Sequence, residues 1–253
     1  MDGVTGADGF RVFDYDVRVA KWAAAAYPVA CGVAEQTQMR GPDNLRHGQT
    51  WFVGVDALPN DPDGSIGGVS LSGPWNAHVP DLPLDPAQLS IIYPGYPVQD
   101  AGESDANHRF RRDRAAAHVD GLLPFGPEKR RFAREFHAYI LSIPLNSCAA
   151  SPTVVWSGSQ RIMQAALRRT YGAQDPADVD ITEVYKNARR EVFETCTQVP
   201  LILDVGQSAL LHPFILHGTA PWDDTTDPDG AGRMIAFFRP ECVGGAAQWL
   251  ATP

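Results

Sequence analysis

His118 and Asp120 stand two positions apart in "AHVDG". On an extended segment, residues at that spacing point to the same face. One imidazole and one carboxylate can then reach one ion. A third ligand from a distant strand completes a two-histidine, one-carboxylate facial set, which on Fe(II) leaves coordination positions for a co-substrate and dioxygen. Further along, "LLHPFILHGTAPW" offers two candidates for that ligand, His212 and His217. Their positions differ by an odd number, so on a regular strand they face opposite sides and do not share one ion, although Pro213 disturbs that regularity. The H-x-D pattern alone is a weak signal, because a turn-capping aspartate beside a core histidine gives the same letters.

Composition narrows the classes in which such a site is read. The chain has 253 residues, 44% of them hydrophobic and 20% charged, which suits one large domain with its own core. A formal net charge of -9 lacks the basic footprint that phosphate contacts need, so no nucleic-acid partner is expected. "MDGVTGADGFRVFDYD" shows no basic region followed by an apolar run, and no apolar stretch reaches the length of a membrane span, so neither a signal peptide nor a membrane is expected. Cys31, Cys148, Cys196 and Cys242 form no C-x-x-C pair; reduced structural thiols in a cytoplasmic protein are the expectation. The sequence has no nucleophile elbow G-x-S-x-G, no phosphate-binding G-x-x-x-x-G-K-[ST] or G-x-G-x-x-G, and no H-E-x-x-H.

The elements that must position the candidate ligands are mostly strands. "TWFVGVDAL", "QLSIIYPGYPV", "FHAYILSIPL", "TVVWSG", "PLILDVG", "SALLHPFILHG" and "RMIAFFRP" are short, rich in β-branched and aromatic residues, and bounded by Gly, Pro, Asp or Ser. That pattern predicts a sandwich or barrel. Helices are predicted at "RVAKWAAAAYPVACGVAEQ", at "SQRIMQAALRRTYG" and at "DITEVYKNARREVFETC", the last capped by Asp180 or Thr182. Pro59 to Pro86 reads as turns, and "WDDTTDPDGAG" as a polar loop before the final strand.

Taken in order, "AHVDG", "VVWSGSQRIM" and "GQSALLHPFILHGTAPW...GRMIAFFRPE" resemble the phytanoyl-CoA dioxygenase-like family of Fe(II)/2-oxoglutarate-dependent oxygenases, over about Ala115 to Pro240. The N-terminal hundred residues carry no matching motif. The resemblance favours His217, which is followed by Gly218 and Thr219, as the third ligand beside His118 and Asp120. It implies that Arg233, 16 positions later (233 minus 217), holds the far carboxylate of 2-oxoglutarate, with the Thr219 hydroxyl beside it. Arg239 shares the parity of Arg233 and competes for that role. Gln160 stands where the family often has histidine, and "GQS" at Gly206 to Ser208 replaces a Gly-Asp turn.

The fold implied is mainly β, a double-stranded β-helix (jelly-roll, cupin-type barrel) with N-terminal helices and a helical insert near its mouth. One domain, 1–253, would comprise N-terminal buttress and pocket elements in 1–100 and a barrel core in 101–240 interrupted by the insert 160–198. The function implied is a dioxygenase using Fe(II), 2-oxoglutarate and O2 to hydroxylate a small molecule, with succinate and CO2 released. Asp120 fills the position that halogenating relatives leave open for chloride, so hydroxylation is expected. A cupin-type metalloenzyme without 2-oxoglutarate, or a non-catalytic binding barrel, are the alternatives. The basic residues His108, Arg109, Arg111, Arg112 and Arg114, with Lys129, Arg130, Arg131 and Arg134, would draw an anionic substrate if they steer at all; a solvated basic face is the plainer reading. Trp51, Trp75 and Trp222 are candidates for an aromatic wall, with core packing expected for each; core or surface positions are expected for His47, His78 and His137.

Overall fold

Strands that are apolar on both faces must be covered on both, and here two sheets and three helices stack in layers to do so. The computed structural model describes residues 5–40, 45–172, 174–225 and 232–253. Its larger sheet is built from β1 (Phe10–Phe13), β2 (Leu45–Arg46), β3 (Trp51–Leu58), β4 (Ala87–Ile92), β7 (Ile140–Pro144), β10 (Ser208–Leu211) and β12 (Arg233–Phe238). These run antiparallel in the order β1-β10-β7-β12-β4-β3-β2. A smaller antiparallel sheet sets β8 (Thr153–Trp156) between β9 (Gln198–Leu201) and β11 (His217–Thr219), while β5 (Leu122–Phe125) and β6 (Arg130–Ala133) form a hairpin.

Period-2 alternation divides the side chains of the large sheet between two cores. Leu89, Ile91, Leu141, Leu210, Ala236 and Phe238 face helix α1 (Val17–Arg40), which meets them with Val19, Trp22 and a row of alanines. The buried Trp22 indole is satisfied by the Gly64 carbonyl at 2.8 Å. On the other face Ile140, Ala209, Leu211 and Phe237 meet Val155 and Leu201 of the small sheet. The outer face of the small sheet, with Val154 and Trp156, is covered by α3 (Ser159–Tyr171) and α4 (Thr182–Thr195) through Met163, Leu167, Tyr185 and Val192.

Several boundaries differ from the sequence reading. "SALLHPFILHG" is two strands in different sheets: after β10 the chain turns at Pro213, where the His212 Nδ1 accepts from the Phe214 N–H at 3.1 Å, and crosses to β11. The insert helices lie behind the small sheet, because that is where their apolar stripes are buried; no residue of α3 or α4 lines the cavity beside the candidate ligands, so they do not sit at its mouth. The charged run before His118 is a helix, α2 (Asp105–Arg114), capped by Ser104, whose hydroxyl accepts from the Asn107 N–H at 3.3 Å. It buries no residue deeply, so no apolar period announced it. The first hundred residues supply β1 to β4 of the large sheet. The N-cap of α4 is Ile181, with no side-chain cap, rather than Asp180 or Thr182; Asp180, one residue earlier, accepts from the Thr182 N–H at 2.9 Å. Residues 226–231 of the polar loop lie outside the described residues. None of the four cysteines forms a disulfide, and no helix among the described residues is long and apolar enough to cross a membrane.

Candidate metal centre

Helix α2 ends in two consecutive left-handed residues, Ala115 (φ 51°) and Ala116 (φ 49°). Alanine adopts that region at a cost, and the cost is met here where the chain must turn sharply into the H-x-D segment. His118 then runs antiparallel to β11, donating its N–H to the His217 carbonyl at 2.8 Å and accepting from the His217 N–H at 3.0 Å. The two imidazoles are thereby brought side by side, with centroids 4.6 Å apart. Gly218 permits this approach: the Thr219 N–H reaches the Ala115 carbonyl at 3.0 Å, and a Cβ on Gly218 would run into that same oxygen.

Backbone carbonyls set the tautomers. The Nδ1 of His118 lies 3.1 Å from the Ala116 oxygen, and the Nδ1 of His217 lies 3.1 Å from the Ile215 oxygen. A carbonyl only accepts, so each Nδ1 carries the proton and each Nε2 presents a lone pair. Both Nε2 atoms face one oxygen: Asp120 Oδ1 is 3.2 Å from His118 and 3.6 Å from His217. The three ligand atoms lie within 4.8 Å of one another. Burial pushes His217 down to about 4, so it is neutral at pH 7. Burial alone would raise the Asp120 carboxyl, but His217, His118 and Arg239 around it outweigh burial and hold it well below the usual carboxylate range. An ionised carboxylate beside Nδ1-protonated imidazoles is the donor set a divalent cation requires. The His118 side chain, 43% exposed against 9% for His217, marks the open side.

Arg233 and Arg239 take different places. Arg239 directs Nη1 at Asp120 Oδ2, 3.5 Å away. Arg233 is only 3% exposed, and its Nη1 donates to the Thr153 hydroxyl at 3.4 Å. Its Nε and Nη2 are buried with no hydrogen-bond partner among the described residues. Burial pushes the guanidinium down to about 10, against the smaller opposing effects of Cys148 and Tyr96. Thr153 pairs with Thr219 across β8 and β11, and both line one cavity with His118, Asp120 and His217. An uncompensated buried guanidinium next to that cavity calls for a carboxylate, and its fork of donors fits one.

His212 is remote in role: it is 3% exposed, committed to the Phe214 N–H, and pushed down to about 4 by burial, while the backbone of Pro253 and Thr252 acts in the other direction. His47 and His137 are buried among carboxylates, and His78 lies beside Arg11. Most of the basic cluster is engaged locally, Arg111 with Glu103, Arg130 with Glu128 and Asp180, and Arg114 and Arg134 over aromatic rings. Trp51 departs from its expected core packing and lines the cavity, whereas Trp75 is core. Thr153, Tyr96 and Arg46 escaped the sequence reading. Parity along "TVV" offers a signal for Thr153 only once Val155 is known to face His217.

No family model matches the chain, and no curated protein matches it. In fold it is similar to the non-heme alpha ketoglutarate dependent carbocyclase SnoK from nogalamycin biosynthesis, with a TM-score of 0.52 at 13% identity over 93% of this chain and 80% of that one. It is also similar to EctD from S. alaskensis, solved with 2-oxoglutarate and 5-hydroxyectoine, with a TM-score of 0.50 at 16% identity over 95% of this chain and 74% of that one. At these identities the likeness is one of fold.

Proposed function

We propose that this chain is an Fe(II)- and 2-oxoglutarate-dependent dioxygenase of the phytanoyl-CoA dioxygenase-like kind, hydroxylating a small molecule and releasing succinate and CO2. In this reading the two facing sheets form a double-stranded β-helix, a jelly roll, in a single domain to which 1–100 contributes strands as well as pocket walls. The observation that carries the assignment is Arg233. A His-Asp-His set alone suits many metalloproteins, but a buried guanidinium with two unpartnered nitrogens beside the same cavity supports a resident dicarboxylate. A cupin-type enzyme without 2-oxoglutarate leaves that arginine unexplained.

The residues divide the work accordingly. His118 and His217 hold the ion through Nε2 and Asp120 through Oδ1, with the Ala116 and Ile215 carbonyls fixing both rings. Arg233 and Thr153 receive the far carboxylate, and Thr219 lines the path between that carboxylate and the ion. Val53, Leu123 and Phe237 keep the cavity largely apolar and limit water at the reacting centre. Bound Fe(II) with 2-oxoglutarate supplies the activation of O2, one oxygen atom going to succinate and the other to the substrate C–H bond.

Anaerobic titration of the Fe(II)-loaded protein with 2-oxoglutarate tests this. A weak visible charge-transfer band is expected in the wild type, lost in Asp120→Ala and weakened in Arg233→Ala. Iron binding without any band in the wild type overturns the 2-oxoglutarate assignment, and failure to bind iron overturns the metal site.

A further inference from the structure

Cross-strand partners in a sheet project to the same face, and one such row starts in the cavity wall, at Arg46 and Trp51, and continues beneath it through Ile92 to Arg233. Arg46 on β2 pairs with Trp51 on β3, Trp51 with Ile92 on β4, and Ile92 with Arg233 on β12. With neighbouring strands about 4.8 Å apart, the two arginines stand roughly 14 Å from each other at opposite ends of the row. Arg233 is the buried end. Arg46 is the exposed end, and it lines the same cavity of about 310 Å³ as the His-Asp-His set.

What lies between them is flat and mostly apolar. The Trp51 indole is fixed by a hydrogen bond from Nε1 to the Ser90 hydroxyl at 3.1 Å, by stacking on His47 with centroids 5.8 Å apart, and by the edge of Tyr96 at 6.0 Å. Val53, the next residue on that face of β3, continues the surface. A wall locked in this way loses no rotamer freedom when a ligand lies on it.

Charge completes the picture. Among the described residues lining the cavity the sole carboxylate is Asp120, which faces the two histidines and Arg239. Among the described residues the lining therefore offers a cationic ligand no acid beyond Asp120, which the histidines and Arg239 already surround. Arg46 makes no ion pair among the described residues. The carboxylate of Asp100, which contacts His47, the chain neighbour of Arg46, accepts from the N–H groups of His47 and Gly48 at 2.9 and 2.8 Å, and Glu103 pairs with Arg111.

Resting on the dioxygenase reading and specifying its substrate, we infer that the cavity takes a small organic monoanion, with the anionic group held by Arg46 at the mouth and an apolar body lying on Trp51 and Val53 toward the metal. The volume is at the lower end of the range for small-molecule sites, so the body is that of a small acid rather than a long chain. Arg46 acts here as a specificity determinant for charge.

The test compares matched acid and amide probes, 3-phenylpropanoate with 3-phenylpropanamide and hexanoate with hexanamide, by saturation-transfer NMR at neutral pH. Fe(II) and saturating 2-oxoglutarate are present under anaerobic conditions, so that the Arg233 site is filled. For at least one pair the acid should bind the wild type about tenfold more tightly than its amide, and Arg46→Gln should reduce that preference to about twofold or less. Arg46→Lys should keep part of the preference. Equal binding of acid and amide, binding of none of the probes, or a preference that survives Arg46→Gln overturns the inference. The charge-transfer band recorded on the same samples reports separately on the dioxygenase reading. A missing band in the wild type sinks that reading, while the acid-amide comparison still reports the charge preference of the cavity.

Discussion

Two arginines six positions apart on and just after β12 act in opposite senses on charge. Arg239 offers Nη1 to Asp120 Oδ2 at 3.5 Å, which leaves Oδ1 to face both imidazoles. A carboxylate held by one oxygen binds an ion through the other, and monodentate binding keeps positions free for co-substrate and O2. Arg239→Gln should therefore weaken Fe(II) affinity by roughly 10- to 100-fold and Arg239→Lys by less, as read by equilibrium dialysis; unchanged affinity in both variants would remove Arg239 from the site. Arg233 is instead a charge without a counter-charge, and its burial costs stability when no anion is bound. Arg233→Met should leave the melting temperature of the 2-oxoglutarate-free protein unchanged or higher, while the rise in melting temperature that iron with 2-oxoglutarate gives the wild type shrinks. A marked loss of stability in the free variant would mean that Arg233 has a protein partner and is not waiting for a ligand.

The ligand geometry is made by elements meeting, and the closest meeting is β11 against the segment after α2. Gly218 is required there because a side chain would strike the Ala115 carbonyl, and that contact keeps His217 beside His118. Gly218→Ala should retain the fold by circular dichroism yet lose most Fe(II) binding; full metal affinity in this variant would show that the segment can give way. The same strand is tied from behind, since the buried Ser159 hydroxyl at the start of α3 accepts from the Leu216 N–H at 2.9 Å. Ser159→Ala leaves that N–H unpaired and should cost about 1–3 kcal/mol, measured by denaturant unfolding. These constraints explain what the sequence revealed. The H-x-D parity and the H-G-T glycine were legible because each is a local rule, of period in one case and of backbone clearance in the other. The crossing from β10 to β11 was hidden because an unbroken apolar run reads as one strand, and only the sheet partners of each half separate them. Helix α2 was hidden because a helix with no deeply buried face has no apolar period. Trp51 looked like core because burial and pocket lining draw on the same residue types.

At the scale of the molecule, the point where the chain leaves the large sheet for the small one is held by a histidine that must stay neutral. His212 donates its N–H to the Gly9 carbonyl at 2.9 Å and accepts at Nδ1 from Phe214, so it links the N-terminal segment, the large sheet and the route to the metal ligand His217. Burial pushes its pKa from 6.5 down to about 4. The unfolded chain therefore binds the extra proton first: between pH 6.5 and 4 it holds more protons than the folded one, and stability falls as pH falls through that window. Above pH 6.5 both states are neutral at this residue and the effect is absent. The full shift corresponds to about 3 kcal/mol, a large share of the stability of one domain. His217 titrates over the same window in the metal-free protein, and protons there compete with iron as well. Asparagine at 212 keeps an acceptor near the Nδ1 position and cannot titrate. Melting temperatures of the metal-free protein measured from pH 7.5 to 4 should fall less steeply below pH 6.5 in His212→Asn than in the wild type. Parallel curves would show that His212 takes up its proton without opening the crossover, and that acid sensitivity belongs to the metal ligands alone.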